Sequence, residues 1–82
     1  MVVIKIRLSE FRRRRVEQGL SQRALARRAG TSSGFLSQLE AGDRNPSPEM
    51  AKRLATALGA DFDSLYYLID EQVSDEHAAA GG

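Results

Sequence analysis

Val2, Ile4, Ile6 and Leu8 alternate with Val3, Lys5 and Arg7, a period-two pattern in a β-branched run that predicts a short strand at the start of the chain. No later segment reads as its partner strand. An unpaired strand leaves its backbone donors and acceptors without a ladder, so two readings stand side by side. Residues 1–8 form an irregular arm, or they pair with the same segment of another copy of the chain.

From Ser9 onward the period changes to that of helices. Ser9 is a good N-cap for a first helix to about Gln18, with Glu10 in its first turn and Gly19 placed to end it. Four consecutive arginines, Arg12 to Arg15, lie on this helix and span roughly 300° of its circumference, so they cannot share one solvent face. Leu8, Phe11 and Arg15 fall at i, i+3 and i+7, which puts Arg15 in the apolar stripe and points Arg13 and Arg14 outward. Arg15 therefore calls for an anionic partner.

Ser21 caps a second, short helix with Leu25, Ala26 and Ala29 inside it and Gly30 as a left-handed terminator. A third begins near Ser32 or Ser33, carries Leu36 and Leu39 on its inner face and ends at Gly42. Asp43 to Pro48 is a loop by its Asn-Pro and Ser-Pro pairs, and Ser47 with Pro48 starts a fourth helix whose inner face is Ala51, Leu54, Ala55 and Leu58. Phe62, Leu65, Tyr66 and Ile69 predict a short fifth helix capped by Asp61. The resulting division is an arm or strand at 1–8, a helical domain at 9–69 and an acidic tail at 70–82 that is expected to be disordered.

Eighty-two residues with 41% hydrophobic and 28% charged content suit one small soluble domain with a single core. The absence of cysteine excludes disulfides, thiolate nucleophiles and cysteine-based zinc sites together. The longest uncharged stretch, Ala29 to Leu39, is 11 residues against the roughly 20 of a membrane span. The opening MVVIKIRL lacks the length and cleavage pattern of a signal peptide, so a cytoplasmic location with no membrane association is expected. Charge changes the picture more. Residues 1–44 carry 10 Lys/Arg against 4 Asp/Glu, a net +6, and residues 45–82 carry 2 against 7, a net −5. The first half is built to meet something anionic.

Within that half, Gln22 to Leu39 have the internal spacing of a helix-turn-helix. Ala26 is small where two helices approach closely, Gly30 supplies the turn, and Leu25, Ala29, Leu36 and Leu39 fill the wedge. With the flanking Gly19-Leu20-Ser21-Gln22, Phe35 to Gly42, Arg44-Asn45-Pro46-Ser47 and Leu54 to Gly59, the sequence resembles the lambdoid phage repressor/Cro-like family, also called the Xre family, over about residues 9–69. The resemblance implies an all-α, compact five-helix DNA-binding domain, here preceded by the N-terminal strand or arm, acting as a homodimer on an inverted repeat in double-stranded DNA.

The same resemblance supplies a partner for Arg15, an ion pair with Glu40 at the end of the third helix. In the family's docking geometry that helix enters the major groove, which makes Ser33, Gly34 and Gln38 the candidate base readers. Gln38 stands out because its amide bonds both N6 and N7 of adenine. Gln22, Ser32, Phe35, Ser37, Arg44 and Asn45 are the candidate backbone contacts. Phe35 has two alternatives, packing against the sugar-phosphate or a thymine methyl, or folding back onto the core. Arg23, Arg27 and Arg28 read as solvated surface that adds to the basic field.

Two departures from the family pattern bear on this. Thr31 replaces the larger apolar residue usual after the turn glycine, and the strand-like start leaves Lys5 and Arg7 as an alternative DNA-contacting arm.

An enzyme is not expected: the single histidine, His77, lies in the tail, and the sequence has no metal-ligand cluster and no glycine-rich phosphate loop. No cofactor and no metal are expected. The sequence therefore predicts a DNA-binding transcriptional regulator, more readily a repressor. Its alternative is an antitoxin or adaptor whose main role is to hold a protein partner.

Overall fold

A computed structural model describes residues 1–70, so the expectation of a disordered acidic tail lies almost wholly outside the described residues. The chain runs β1 (Val2–Ile6), α1 (Leu8–Glu17), α2 (Gln22–Ala29), α3 (Ser33–Glu40), α4 (Pro48–Leu58), α5 (Phe62–Leu65) and β2 (Tyr66–Asp70). The five expected helices are present, with a two-stranded sheet added.

That sheet corrects the reading of both ends. β1 pairs antiparallel with β2 of its own chain in the register Val2↔Asp70, Val3↔Ile69, Ile4↔Leu68, Lys5↔Tyr67 and Ile6↔Tyr66. Residues 1–8 are thus neither an irregular arm nor a strand reserved for another copy. The fifth helix stops at Leu65, because Tyr66 is already extended at φ −137° and ψ 162°. Leu65 and Tyr66 are both buried although they are adjacent, and a helix-to-strand junction can bury two neighbours where one helix face would favour spaced positions. The aromatic and β-branched run Tyr-Tyr-Leu-Ile suits a strand, and β1 supplies the missing ladder.

The same junction explains why α1 begins two residues early, with Arg7 in place of Ser9 at the N-cap. The Arg7 N–H donates to Leu65 O at 2.8 Å as part of the sheet, while the Arg7 carbonyl accepts from Phe11 N–H at 2.9 Å as the first turn of the helix. The chain passes straight from ladder to helix, so Ser9 lies inside the first turn and no side chain caps it. Asp61 holds the N-cap position of α5, also without a side-chain hydrogen bond. The other three caps follow the sequence: Ser21, Ser32 and Ser47 each accept a backbone N–H three residues on, at 3.0 to 3.1 Å.

Phe11, Leu25, Leu36, Leu39, Leu54, Leu58, Leu65 and Tyr66 are the large fully buried side chains, so every helix and β2 contribute to one core. Tyr66 joins three elements. Its ring centroid lies 4.7 Å from that of Phe62 and 6.3 Å from that of Phe11, and its hydroxyl donates to Ala51 O of α4 at 2.9 Å. Burial raises the Tyr66 pKa well above the ordinary phenol value.

Candidate nucleic-acid interface

The turn between α2 and α3 is three residues long, and its first is Gly30 at φ +76°, where a side chain is strained. Gly30 N–H donates to Arg27 O at 3.3 Å and Thr31 N–H to Ala26 O at 2.8 Å, which satisfies the last carbonyls of α2 while the chain reverses. Ser32 then caps α3 through Phe35 N–H. Leu25, Ala26, Ala29, Leu36 and Leu39 are buried in the wedge and Thr31 is half-buried at its edge. These contacts fix α3 rigidly while leaving its opposite face open.

On that face Ser33, Gly34, Ser37 and Gln38 are exposed, as are Ser32, Arg44 and Asn45 beside it. Arg44 leans back over the helix. Its guanidinium carbon lies 5.3 Å from the Phe35 ring centroid, and its Nη1 donates to Gln38 Oε1 at 3.1 Å. Phe35 is half-buried, packing on the core with one side and carrying Arg44 on the other. The side chain of Gln38 is therefore held in place before any ligand arrives.

Behind α3 the structure places Arg15 on Glu40. Nε and Nη2 of Arg15 donate to the two carboxylate oxygens at 2.6 and 2.9 Å, a bidentate pair, and Nη1 donates to Leu20 O at 2.8 Å. Glu40 is 3% exposed and is the one buried charged residue among those described. Gln22 Nε2 also donates to Glu40 Oε1, at 3.1 Å, so the amide sits between α2 and α3 and is not simply presented to solvent. Burial by itself would raise the Glu40 pKa, but the hydrogen bonds from Arg15 and Gln22 and the positive charges of Arg15 and Arg12 outweigh it and hold the carboxyl below its ordinary value.

The arginine run has a use that periodicity did not reveal. Arg12 Nη2 donates to Glu40 O at 3.0 Å, closing the C-terminal end of α3. Arg14, expected to point outward, turns to the C-terminus of α4, with Nε on Leu58 O at 3.0 Å and Nη2 on Gly59 O at 2.7 Å. Two of the four arginines, Arg12 and Arg14, thus donate to carbonyls left over at helix C-termini, where the helix dipole also favours a cation. Arg13 makes only a surface pair with Glu17 at 3.2 Å. The available signal was that Gly42 and Gly59 each end a helix whose last carbonyls need donors.

Lys5 and Arg7 do not form a free arm. Lys5 lies within β1 opposite Tyr67, and Arg7 donates from Nε to Asp63 O at 3.0 Å with its guanidinium carbon 5.3 Å from the Tyr67 ring centroid. Arg23, Arg27 and Arg28 are exposed along α2, and no ion pair among the described residues includes them. The field around the turn is accordingly basic. No metal-binding cluster of His, Cys, Asp or Glu occurs among the described residues, and no helix there is long and apolar enough to cross a membrane.

A three-residue turn, a supported second helix and an exposed polar face on that helix define the helix-turn-helix class of domain. Residues 11–65 match the helix-turn-helix model HTH_3, and the chain belongs to that family. It is 43% identical over 63 residues to the HTH-type transcriptional regulator y4dJ of Sinorhizobium fredii, a match covering 77% of this chain and 82% of the relative. An HTH-type transcriptional regulator of Methanothermobacter thermautotrophicus is 38% identical over 61 residues, covering 74% of this chain and 88% of the relative. Among solved structures, the restriction-modification controller protein C.AhdI of Aeromonas hydrophila is similar with a TM-score of 0.66 and 33% identity, over 70% of this chain and 83% of that one.

Proposed function

We infer that the protein is a sequence-specific double-stranded DNA-binding transcriptional regulator that inserts α3 into the major groove, with Ser33, Gly34 and Gln38 toward the base edges. One observation carries this reading most directly. The exposed face of α3 presents a pre-positioned Gln38 amide beside Arg44, on a helix whose back is locked by the buried Arg15–Glu40 pair. A glutamine so held bonds adenine without losing much side-chain freedom on binding. Ser32, Ser37, Arg44 and Asn45 flank the helix as phosphate contacts that set register without specifying sequence. Gln22 joins them through its half-buried position at the start of α2, where the N-terminal backbone amides favour an anion.

The protein acts as a repressor and as a homodimer in this reading. A single α3 offers few base-reading side chains, and two copies on an inverted repeat double the recognised sequence. The relatives described as HTH-type transcriptional regulators support a regulatory role. Selection of bound sequences from a random duplex library tests it: an enriched inverted repeat is the expected result. Enrichment of no sequence, with weak and steeply salt-dependent binding, would reject specific readout and leave a protein partner as the function to pursue.

A further inference from the structure

We propose that the outer edge of β2 is the surface through which two copies of this chain pair, forming a four-stranded antiparallel sheet that continues across a two-fold axis at Leu68. The proposal rests on the two-copy reading above and adds the place where the copies meet.

Backbone geometry carries the first part of the argument. Arg7 N–H donates to Leu65 O, and these residues extend the register of the sheet by one position beyond Ile6↔Tyr66. In an antiparallel pair, hydrogen-bonded and non-hydrogen-bonded positions alternate. Lys5↔Tyr67 and Val3↔Ile69 are therefore the remaining bonded pairs. Leu68, Asp70 and the Tyr66 carbonyl turn their backbone groups away from β1, toward the outer edge of β2, while the Tyr66 N–H donates to Phe62 O at the end of α5.

Among the described residues, exposure at one cross-strand pair falls on the β2 side. Ile4 and Leu68 are cross-strand partners on the same face, yet Ile4 is 7% exposed and Leu68 57%. That face is covered at Ile4, Ile6 and Tyr66, beside the helices, and open at Leu68 on β2 and at Val2 at the far end of β1. Tyr67, on the other face, is also exposed. Natural edge strands are blunted by lysine, proline or a bulge, and Tyr66 to Ile69 contain no charge and no proline. β1, by contrast, carries Lys5.

The strand is also complementary to itself. An antiparallel pairing centred on Leu68 sets Leu68 against Leu68, in a bonded pair that uses the outward groups, and stacks Tyr67 on Ile69 of the other copy. Two strands alone are marginal, whereas four with an apolar face are not. The edge is short, about 17 Å for five residues. Such a contact buries less than the roughly 800 Å² per partner of a standard interface, so the pair is concentration-dependent in free solution and strengthened by two adjacent half-sites on DNA.

The chain lacks cysteine, which permits a direct test with the whole 82-residue chain. The proposed axis brings the two copies of position 68 to a Cα separation of about 5.5 Å, inside the disulfide range. L68C is expected to form a disulfide-linked dimer under mild oxidation, on the enriched duplex and at high protein concentration. V16C, equally exposed on α1, is the collision control and is expected to remain monomeric. L68E places like charges opposite each other and is expected to weaken self-association about tenfold or more, with circular dichroism and melting temperature unchanged.

Equal cross-linking of both cysteine variants, or cross-linking of V16C alone, overturns the edge assignment. So does wild-type protein that sediments as a dimer while L68C stays uncrosslinked, and that outcome leaves the two-copy reading intact. Wild-type protein that binds the duplex as one copy and stays monomeric at every concentration refutes the two-copy reading and this proposal together.

Discussion

Replacing Glu40 by alanine removes the charge on which three parts of the fold converge. Arg15 loses two charge-assisted hydrogen bonds, Gln22 loses its acceptor, and Arg12 keeps only its bond to the Glu40 carbonyl. Removing one member of a buried pair costs about 3–5 kcal/mol, because the remaining charge is left without compensation. The low end applies, since Arg15 retains its bond to Leu20 O and its side chain is 13% exposed, enough for water to reach it. A loss of about 3 kcal/mol lowers the melting temperature of a domain this size by roughly 12–24 °C. Urea and thermal unfolding of wild type, E40A, R15A and the double variant measure this, and the double variant should lose much less than the sum of the singles.

The pair also sets a pH dependence. Because the native Glu40 pKa lies below its ordinary value, its stabilisation is complete above the unfolded-state carboxylate pKa and is lost as pH falls through the native one. The stability difference between wild type and E40Q is therefore flat near neutrality and shrinks in acid. A loss below about 1 kcal/mol in E40A, or singles that add, would refute a buried, coupled pair.

Other substitutions separate reading, positioning and packing. Q38A is expected to weaken specific binding by about 1–3 kcal/mol and to relax preference at one base pair per half-site, measured by titrating single-base operator variants. R44A should lower the salt slope by about one unit, and because Arg44 holds Gln38 in the free protein, it should also relax preference at the same base pair. Y66F removes the buried bond to Ala51 O and should cost about 0.5–1.5 kcal/mol in unfolding experiments without altering DNA affinity.

The helix-turn-helix was legible in the sequence because its determinants are local. Ser21, Gly30, Ser32 and the wedge residues act within a few positions of one another, and each carries a recognisable cap, turn or spacing signal. The sheet was not legible, because β1 and β2 stand at opposite ends of the described chain. Phe62, Leu65, Tyr66 and Ile69 fit a helical period by coincidence, and only the demand of β1 for a ladder decides against it. Arg14 departs from the outward direction its spacing predicts for a related reason: periodicity tells where a side chain starts, but an arginine is long enough to reach carbonyls on a neighbouring helix. Arg12 reaches the Glu40 carbonyl in the same way.

The central claim is that the exposed face of α3 reads sequence, and one ratio tests it most directly. Affinity for the enriched duplex divided by affinity for a scrambled duplex of the same length and composition is measured at one fixed, near-physiological salt concentration. The account predicts a ratio of about 10³ or more, falling when Gln38 is replaced by alanine. A ratio near one, unchanged in Q38A, would contradict it.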